Sequence, residues 1–335
     1  MIPAQPITSP PWPHRWAVVL ACATFPLLWV GGLVTTTDAG MAVPDWPTTF
    51  GYNPFLYPLS TWLAGPWDIF VEHGHRLFGA LVGLLAIILL VVLWRNEDRR
   101  WVRALGAAAL LLVIFQGTLG GMRVQLNDRG LAMIHGVVGP LFFATAVSLV
   151  VFTSTAWRNC ATSDTDAKAG HLRRLAIVSC ILVYLQMMIG AVLRHVPVAA
   201  EPGTFLLAVK LHLALAGILS LHVVALVWMI VRHARPLGRF ALLLCGVLVA
   251  QLALGAGTWI VKYSVPVWAG QIVPFNRAAI VDGGWLQTHI VTAHVALGSL
   301  LLATTLSLAL FAWRRSAINS SQVHEAPLSQ RGALA

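Results

Sequence analysis

The sequence predicts an all-α integral membrane protein, with eight transmembrane helices forming two parallel-repeat four-helix bundles. Three observations predict it. Of 335 residues, 58% are hydrophobic and 10% charged, whereas a soluble domain carries about 25% charged residues. Eight apolar runs reach the roughly 20 residues that a spanning helix needs. The last four runs also echo the first four in where they place histidine. This composition excludes a soluble enzyme, a nucleic-acid module and a disordered chain. The formal charge of +10 is dispersed rather than clustered, so it points to no nucleic-acid partner.

Residues 1–15 are a polar, proline-rich N-terminal segment. The first run, 16–36, is too long for the apolar core of a signal peptide and reads as a retained span. Runs 74–94, 102–122 and 131–153 complete an N-terminal half, 16–153. A polar linker, 154–173, leads to runs 174–195, 207–231, 239–261 and 286–312, the C-terminal half of 174–312. Residues 313–335 form a polar tail, expected to be disordered. Most of the basic residues fall at Arg15 and in loops 95–103, 154–174, 232–239 and 313–316. Opposite them stand Arg76, Arg123, Arg129, Arg194, Lys210, Lys262 and Arg277. The positive-inside rule then places both termini in the cytoplasm. Trp16, Trp94, Trp101, Trp157, Trp228 and Trp313 mark the inner ends as an interfacial aromatic belt would. The long outer loop, 37–73, carries Pro44-Asp45-Trp46-Pro47 and is expected to cap the membrane surface. The four cysteines (Cys22, Cys160, Cys180 and Cys245) form neither a CxxC nor a disulfide frame.

Aligning His135 with His294 gives seven identities in fifteen positions, Gly139 with Gly298 and Ser148 with Ser307 among them. His75 then pairs with His212, Gln116 with Gln251 and Gly120 with Gly255. Both halves start from the same side, so the repeat is parallel. His75, His212 and His294 each lie 20 residues before an inner-boundary arginine, and His135 lies 23 before Arg158. At 1.5 Å per residue that is about 30–35 Å, so all four sit at one level near the outer face.

Histidine inside a membrane is rare and marks function. Two imidazoles on facing helices can hold one haem iron from both sides. The pairs are His75 with His135 and His212 with His294. A structural metal is disfavoured, because the helices offer no acidic or cysteine co-ligands. A single such histidine is as readily a packed core residue; four at repeat-related positions favour ligands. His289 is the reserve ligand for His294, and His73 for His75. His222 reads as a packed polar residue, and His14, His171, His233 and His324 as solvated ones.

Glu72 is three residues before His75 and shares its helix face. A carboxylate there can orient substrate or move protons; it is also an ordinary residue for a helix N-terminus. Val209 stands at its place in the second half, which suggests chemistry at the first pair and electron transfer at the second. Arg76, Arg194 and Lys210 at the outer mouths are candidates for pairing with haem propionates, with interfacial snorkelling as the ordinary explanation.

These residues resemble the haem A synthase family of Cox15/CtaA-type membrane enzymes. The carriers are Gly31-Gly32-Leu33-Val34-Thr35, Glu72-His73-Gly74-His75-Arg76, Gln116-Gly117-Thr118-Leu119-Gly120-Gly121, His135, Arg194-His195, His212 and His294. The resemblance implies oxidation of the C8 methyl of haem O to a formyl group, giving haem A for cytochrome oxidase. It implies a substrate haem O at His75 and His135, Glu72 as the catalytic acid and a haem b at His212 and His294. It also implies a multi-pass protein of the cell's inner membrane, partnered by haem O synthase and cytochrome oxidase assembly; self-association and the electron donor stay open. Three departures stand out. Loop 37–73 lacks the cysteine pair of many members, Thr35-Thr36-Thr37-Asp38 replaces a usual arginine, and the last histidine motif is split between Gln287-Thr288-His289 and Ala293-His294-Val295. The alternative function is a quinol-linked di-haem b electron carrier without haem-modifying activity. A transporter is disfavoured, since no span carries an acidic residue at its middle.

Overall fold

A computed structural model describes residues 11–160, 167–197, 200–263 and 283–325. Among the described residues the architecture is eight long helices: α1 (Trp12–Thr36), α2 (Trp67–Asn96), α3 (Arg100–Gln125), α4 (Arg129–Thr153), α5 (Ala167–His195), α6 (Pro202–His233), α7 (Gly238–Tyr263) and α8 (Trp285–Glu325). All eight are long and apolar enough to cross a membrane. Their boundaries follow ordinary signals. Pro66 precedes α2 and Pro202 opens α6, where a missing N–H costs nothing. The Asp128 carboxylate caps α4 by accepting from the Leu131 N–H at 2.8 Å.

Two helices are longer than hydropathy suggests. α2 begins at Trp67 rather than 74, so Glu72 and His73 lie within it instead of opening it. Nothing between Pro66 and residue 74 breaks a helix, and polar residues there only hide it from an apolar window. α8 likewise continues to Glu325 instead of giving way to disorder at Trp313. Its polar extension holds Ala, Arg, Ser and Gln but no proline before Pro327.

Within the first four helices, α1 packs on α2 and α4, and α3 closes the ring between α2 and α4. The same neighbours recur among α5, α6, α7 and α8. The two rings meet through α1 and α4 against α8, with α4 also touching α5. Leu20, Val82, Leu89, Leu93 and Leu149 fill one core. Leu226, Ile230, Leu244 and Leu308 fill the other. Away from these cores the helices present bare aliphatic side chains; Leu111 is 68% exposed and Leu242 77%. Such outward faces are stable in lipid, which is itself the solvent for them.

The loop between α1 and α2 is folded. It has turns at Ala39–Met41 and Pro54–Leu56, a short helix at Leu59–Leu63, and a bridge between Thr49 and Tyr52. It lies over the ends of α2 and α3. The Gly40 carbonyl accepts from Arg123 Nη2 and the Trp46 carbonyl from Gln125 Nε2, both at 2.6 Å. The Trp46 indole occupies the space where Gly121 lacks a side chain. The corresponding connection between α5 and α6 runs only from 196 to 201.

Candidate functional site

The four repeat-related histidines come together as two pairs. The ring centres of His75 on α2 and His135 on α4 stand 6.3 Å apart, with planes at 85°. Those of His212 on α6 and His294 on α8 stand 6.4 Å apart at 74°. Every one of these rings rests against a glycine of the preceding long helix. A Cβ on Gly31, Gly120, Gly190 or Gly255 would stand 3.0–3.3 Å from Cε1 of His75, His135, His212 or His294 respectively. A larger residue at these four places would push the ring out of line.

Glutamines stand one turn before three of these glycines, and two of them, Gln116 and Gln186, brace the partner histidine. Gln116 donates from Nε2 to the His135 carbonyl at 3.1 Å, and its own carbonyl lies 3.1 Å from His135 Nδ1. Gln186 Nε2 donates to the His212 carbonyl at 3.0 Å and lies 3.2 Å from its Nδ1. Gln251 stands at the same register before Gly255, its amide against Gly298 as that of Gln116 is against Gly139. On α1 the register falls on Leu27, and the Nδ1 atoms of His75 and His294 are both buried without a hydrogen-bond partner. The Gln186 brace escapes an alignment on histidines; the glutamine–glycine spacing would have found it.

The pairs fit haem iron. A metal–imidazole bond of about 2 Å plus ~1.1 Å from nitrogen to ring centre separates the centres of two imidazoles on one iron by about 6.2 Å. The face of α2 beside His75 is loosely packed: Gly79 and Gly83, one and two turns along it, are half-buried, yet beyond their chain neighbours and own helix backbone no atom lies within 4 Å of where a Cβ would be. Among the described residues, no three His, Cys, Asp or Glu converge as a metal site of their own would require.

Glu72 is 3% exposed and fixed at both oxygens. Oε2 accepts from the Val43 N–H at 2.8 Å and Oε1 from Arg76 Nη2 at 2.9 Å. Arg76 also donates to the carbonyls of Val43, Asp45 and Thr48 at 2.7–3.0 Å. It thus holds the loop over the first pair. Asp45 turns the loop back by accepting from the N–H groups of Phe50 and Gly51, each at 2.8 Å. Partial burial works to raise its pKa, but those hydrogen bonds outweigh this and hold it below the usual carboxylate value. Arg123, which sequence reasoning placed only at a helix mouth, is the second loop anchor.

Arg194 on α5 reaches across to α1, donating to the Gly32 carbonyl at 2.7 Å and to Thr36 Oγ1. Thr36 Oγ1 in turn accepts from Thr292 Oγ1 on α8 at 3.2 Å. Lys210 is exposed. His73 points away from the His75–His135 gap into the loop, 3.1 Å from Thr49 Oγ1 and between the rings of Tyr57 and Trp62. His289 lies between Trp29 and Trp285 rather than opposite His212. His222 rests on the Ile218 carbonyl at 3.0 Å. His14, expected to be solvated, is instead half-buried within α1, 3.3 Å from Thr153 Oγ1, because α1 starts before residue 16. Arg277 and the side chain of His324 lie outside the described residues.

Residues 66–207 match the family model of the cytochrome oxidase assembly protein COX15-CtaA. A haem A synthase of Shouchella clausii (strain KSM-K16) is 29% identical over 187 residues, 54% of this chain and 58% of that protein. One from Alkalihalophilus pseudofirmus is 30% identical over 143 residues, 41% of this chain and 44% of the relative. The chain therefore spans about half the length of these two curated relatives. A haem A synthase of Methylobacterium sp. (strain 4-46) is 25% identical over 316 residues, covering 77% of this chain and 86% of its own. With two like-spaced histidine pairs in an eight-helix membrane protein, the chain is similar over these stretches to the COX15-CtaA cytochrome oxidase assembly proteins and to haem A synthases.

Proposed function

We propose that the protein is a haem A synthase, oxidising the C8 methyl of haem O to a formyl group. The observation that carries this reading is the inequality of two otherwise matched sites. Both have a histidine pair at bis-imidazole spacing. Among the described residues, only the first has a buried carboxylate beside it and a folded loop clamped above it. In this reading residues 16–153 are the catalytic half and 174–312 the electron-relay half, joined by 154–173 with the tail at 313–335.

His75 and His135 hold the substrate haem O. Glu72 is the acidic residue of the chemistry; its fixed oxygens place an acceptor for a proton one helical turn from His75. The loop held by Arg76 and Arg123 excludes water from the reacting edge. His212 and His294 hold a haem b, which supplies one-electron redox capacity when bound. Of the cations proposed for the propionates, Arg76 and Arg194 already serve backbone carbonyls, while Lys210 stands open.

The excess of basic residues at the far end supports a cytoplasmic placement for that end and for both termini, with the haem sites facing outward in the inner membrane. Haem O synthase as supplier and the cytochrome oxidase assembly route as recipient follow from this chemistry. The test is co-expression with a haem O synthase, followed by extraction and identification of haems. Haem A should appear. Persistent haem O with intact protein in the membrane would sink the proposal, and haem b alone with reduction by quinol would favour the electron carrier.

A further inference from the structure

The end of the bundle remote from the four histidines holds a cavity of about 640 Å³ that the haem chemistry does not use. Three arginines line it, Arg99, Arg158 and Arg314, together with the indoles of Trp101, Trp157 and Trp313. It opens where the two halves meet: Arg99 precedes α3, Arg158 follows α4 and Arg314 lies on α8.

The charges around it do not balance. Glu97 accepts from Arg99 at 2.8 Å and from Arg158 at 2.7 Å, so one carboxylate faces three guanidinium groups. Arg99 also donates to the Phe152 carbonyl at 2.8 Å. The remaining donors are telling. Nε of Arg158 and Nε of Arg314 are both buried, and neither has a hydrogen-bond partner. Buried guanidinium donors seek an acceptor, and the strongest matches are carboxylate and phosphate oxygens. Arg314 is held in place by the Trp157 face, 5.6 Å from its ring centre, and Arg99 by Trp101 at 5.3 Å.

The rest of the wall is aromatic. A lone phosphate would leave most of a space this size empty and in contact with apolar rings. An anion joined to a glycerol and acyl chains fills both parts, and tryptophan and arginine are the usual pair where headgroups meet the bilayer. We propose that this cavity binds the anionic headgroup of a membrane phospholipid, with its phosphate on Arg158 and Arg314. The bound lipid joins α3, α4 and α8, and so ties the N-terminal half to the C-terminal one.

The test is thermal unfolding of the full-length, delipidated protein in neutral detergent, titrated with phosphatidylglycerol, phosphatidylcholine or inorganic phosphate. Phosphatidylglycerol should raise the midpoint saturably, and the other two should not. Arg314→Gln should weaken that response about tenfold, the loss of one charge-assisted hydrogen bond. Arg103→Gln should leave it unchanged, since Arg103 lies over Trp94 outside the cavity. Equal stabilisation by phosphatidylcholine, or by inorganic phosphate, overturns the proposal; the latter would mark a site for the free ion. An unaltered response in Arg314→Gln, or equal losses in both variants, overturns it too. Should Arg314→Gln fail to fold, native mass spectrometry of the unmutated protein decides. One phosphatidylglycerol should survive activation that strips phosphatidylcholine, and loss of both lipids alike rejects the site.

Discussion

Gly31 and His75 occupy one volume between them: a Cβ on the glycine would stand 3.0 Å from Cε1 of the imidazole. The ring can lie flat against α1 only because residue 31 has no side chain. Gly190 does the same for His212 at 3.3 Å. Gly31→Val should therefore turn His75 away from His135 and remove haem from the first site alone, while Gly190→Val should empty the second. Haem content and reduced-minus-oxidised spectra of the purified variants check this. Loss of both haems from either variant would mean that the halves fold as one unit, and loss of neither would remove the ligand assignment.

The double attachment of Glu72 separates two roles for it. As a loop anchor it accepts from the Val43 N–H; as the acidic residue of the proposed reaction it must serve the chemistry. Arg76→Gln removes the donors to Val43, Asp45 and Thr48, so it should loosen the loop and speed proteolysis within residues 37–66. Glu72→Gln still offers an acceptor to Val43. Its loop should stay protected while haem A formation falls by about a hundredfold or more, the range for losing an acid–base group. Equal proteolysis in the two variants, at equal activity, would reduce Glu72 to an anchor.

Arg194 is one of the polar ties between the halves at the histidine end. Replacing it with leucine removes the guanidinium donor shared by the Gly32 carbonyl and Thr36 Oγ1, which should cost about 1–3 kcal/mol. Thr292→Val removes only the hydroxyl contact to Thr36 and should cost less, about 1 kcal/mol. The thermal midpoint should fall in that order, with both haems retained at low temperature. A midpoint unmoved by Arg194→Leu would show that apolar packing of α1 and α4 on α8 suffices.

How far these features are legible in sequence depends on what each interaction needs. The histidine pairs repeat in type and depth, so the alignment of His75 with His212 and His135 with His294 carried through to two close pairs of rings. The eight helices were equally plain, because twenty apolar residues leave a mark that no loop imitates. The loop clamp left no such mark. Arg76 binds the carbonyls of Val43, Asp45 and Thr48, and any residue supplies a carbonyl. Arg194 reads as a snorkelling cation until α5 is seen against α1. The start of α2 was obscured by Glu72, His73, His75 and Arg76, which are helix-compatible but polar; Pro66 was the better signal.

Glu97 gives a prediction about acid. It is buried with two arginines at 2.7–2.8 Å. Burial alone would raise its pKa, but the hydrogen bonds and charges of Arg99 and Arg158 outweigh burial and lower it. Since the folded value lies below that of an unfolded glutamate, about 4.3, the pairing contributes stability at every pH above that value. That contribution drains away as pH falls through the unfolded and then the folded value. Glu97→Gln leaves two cationic groups without their counter-charge and should cost about 3–5 kcal/mol at neutral pH, the toll of breaking a buried pair. As pH falls below the unfolded and then the folded value the unmutated protein loses the same interaction, so the two thermal midpoints should converge. Midpoints separated by a constant gap across this range would show that Glu97 acts through packing rather than charge.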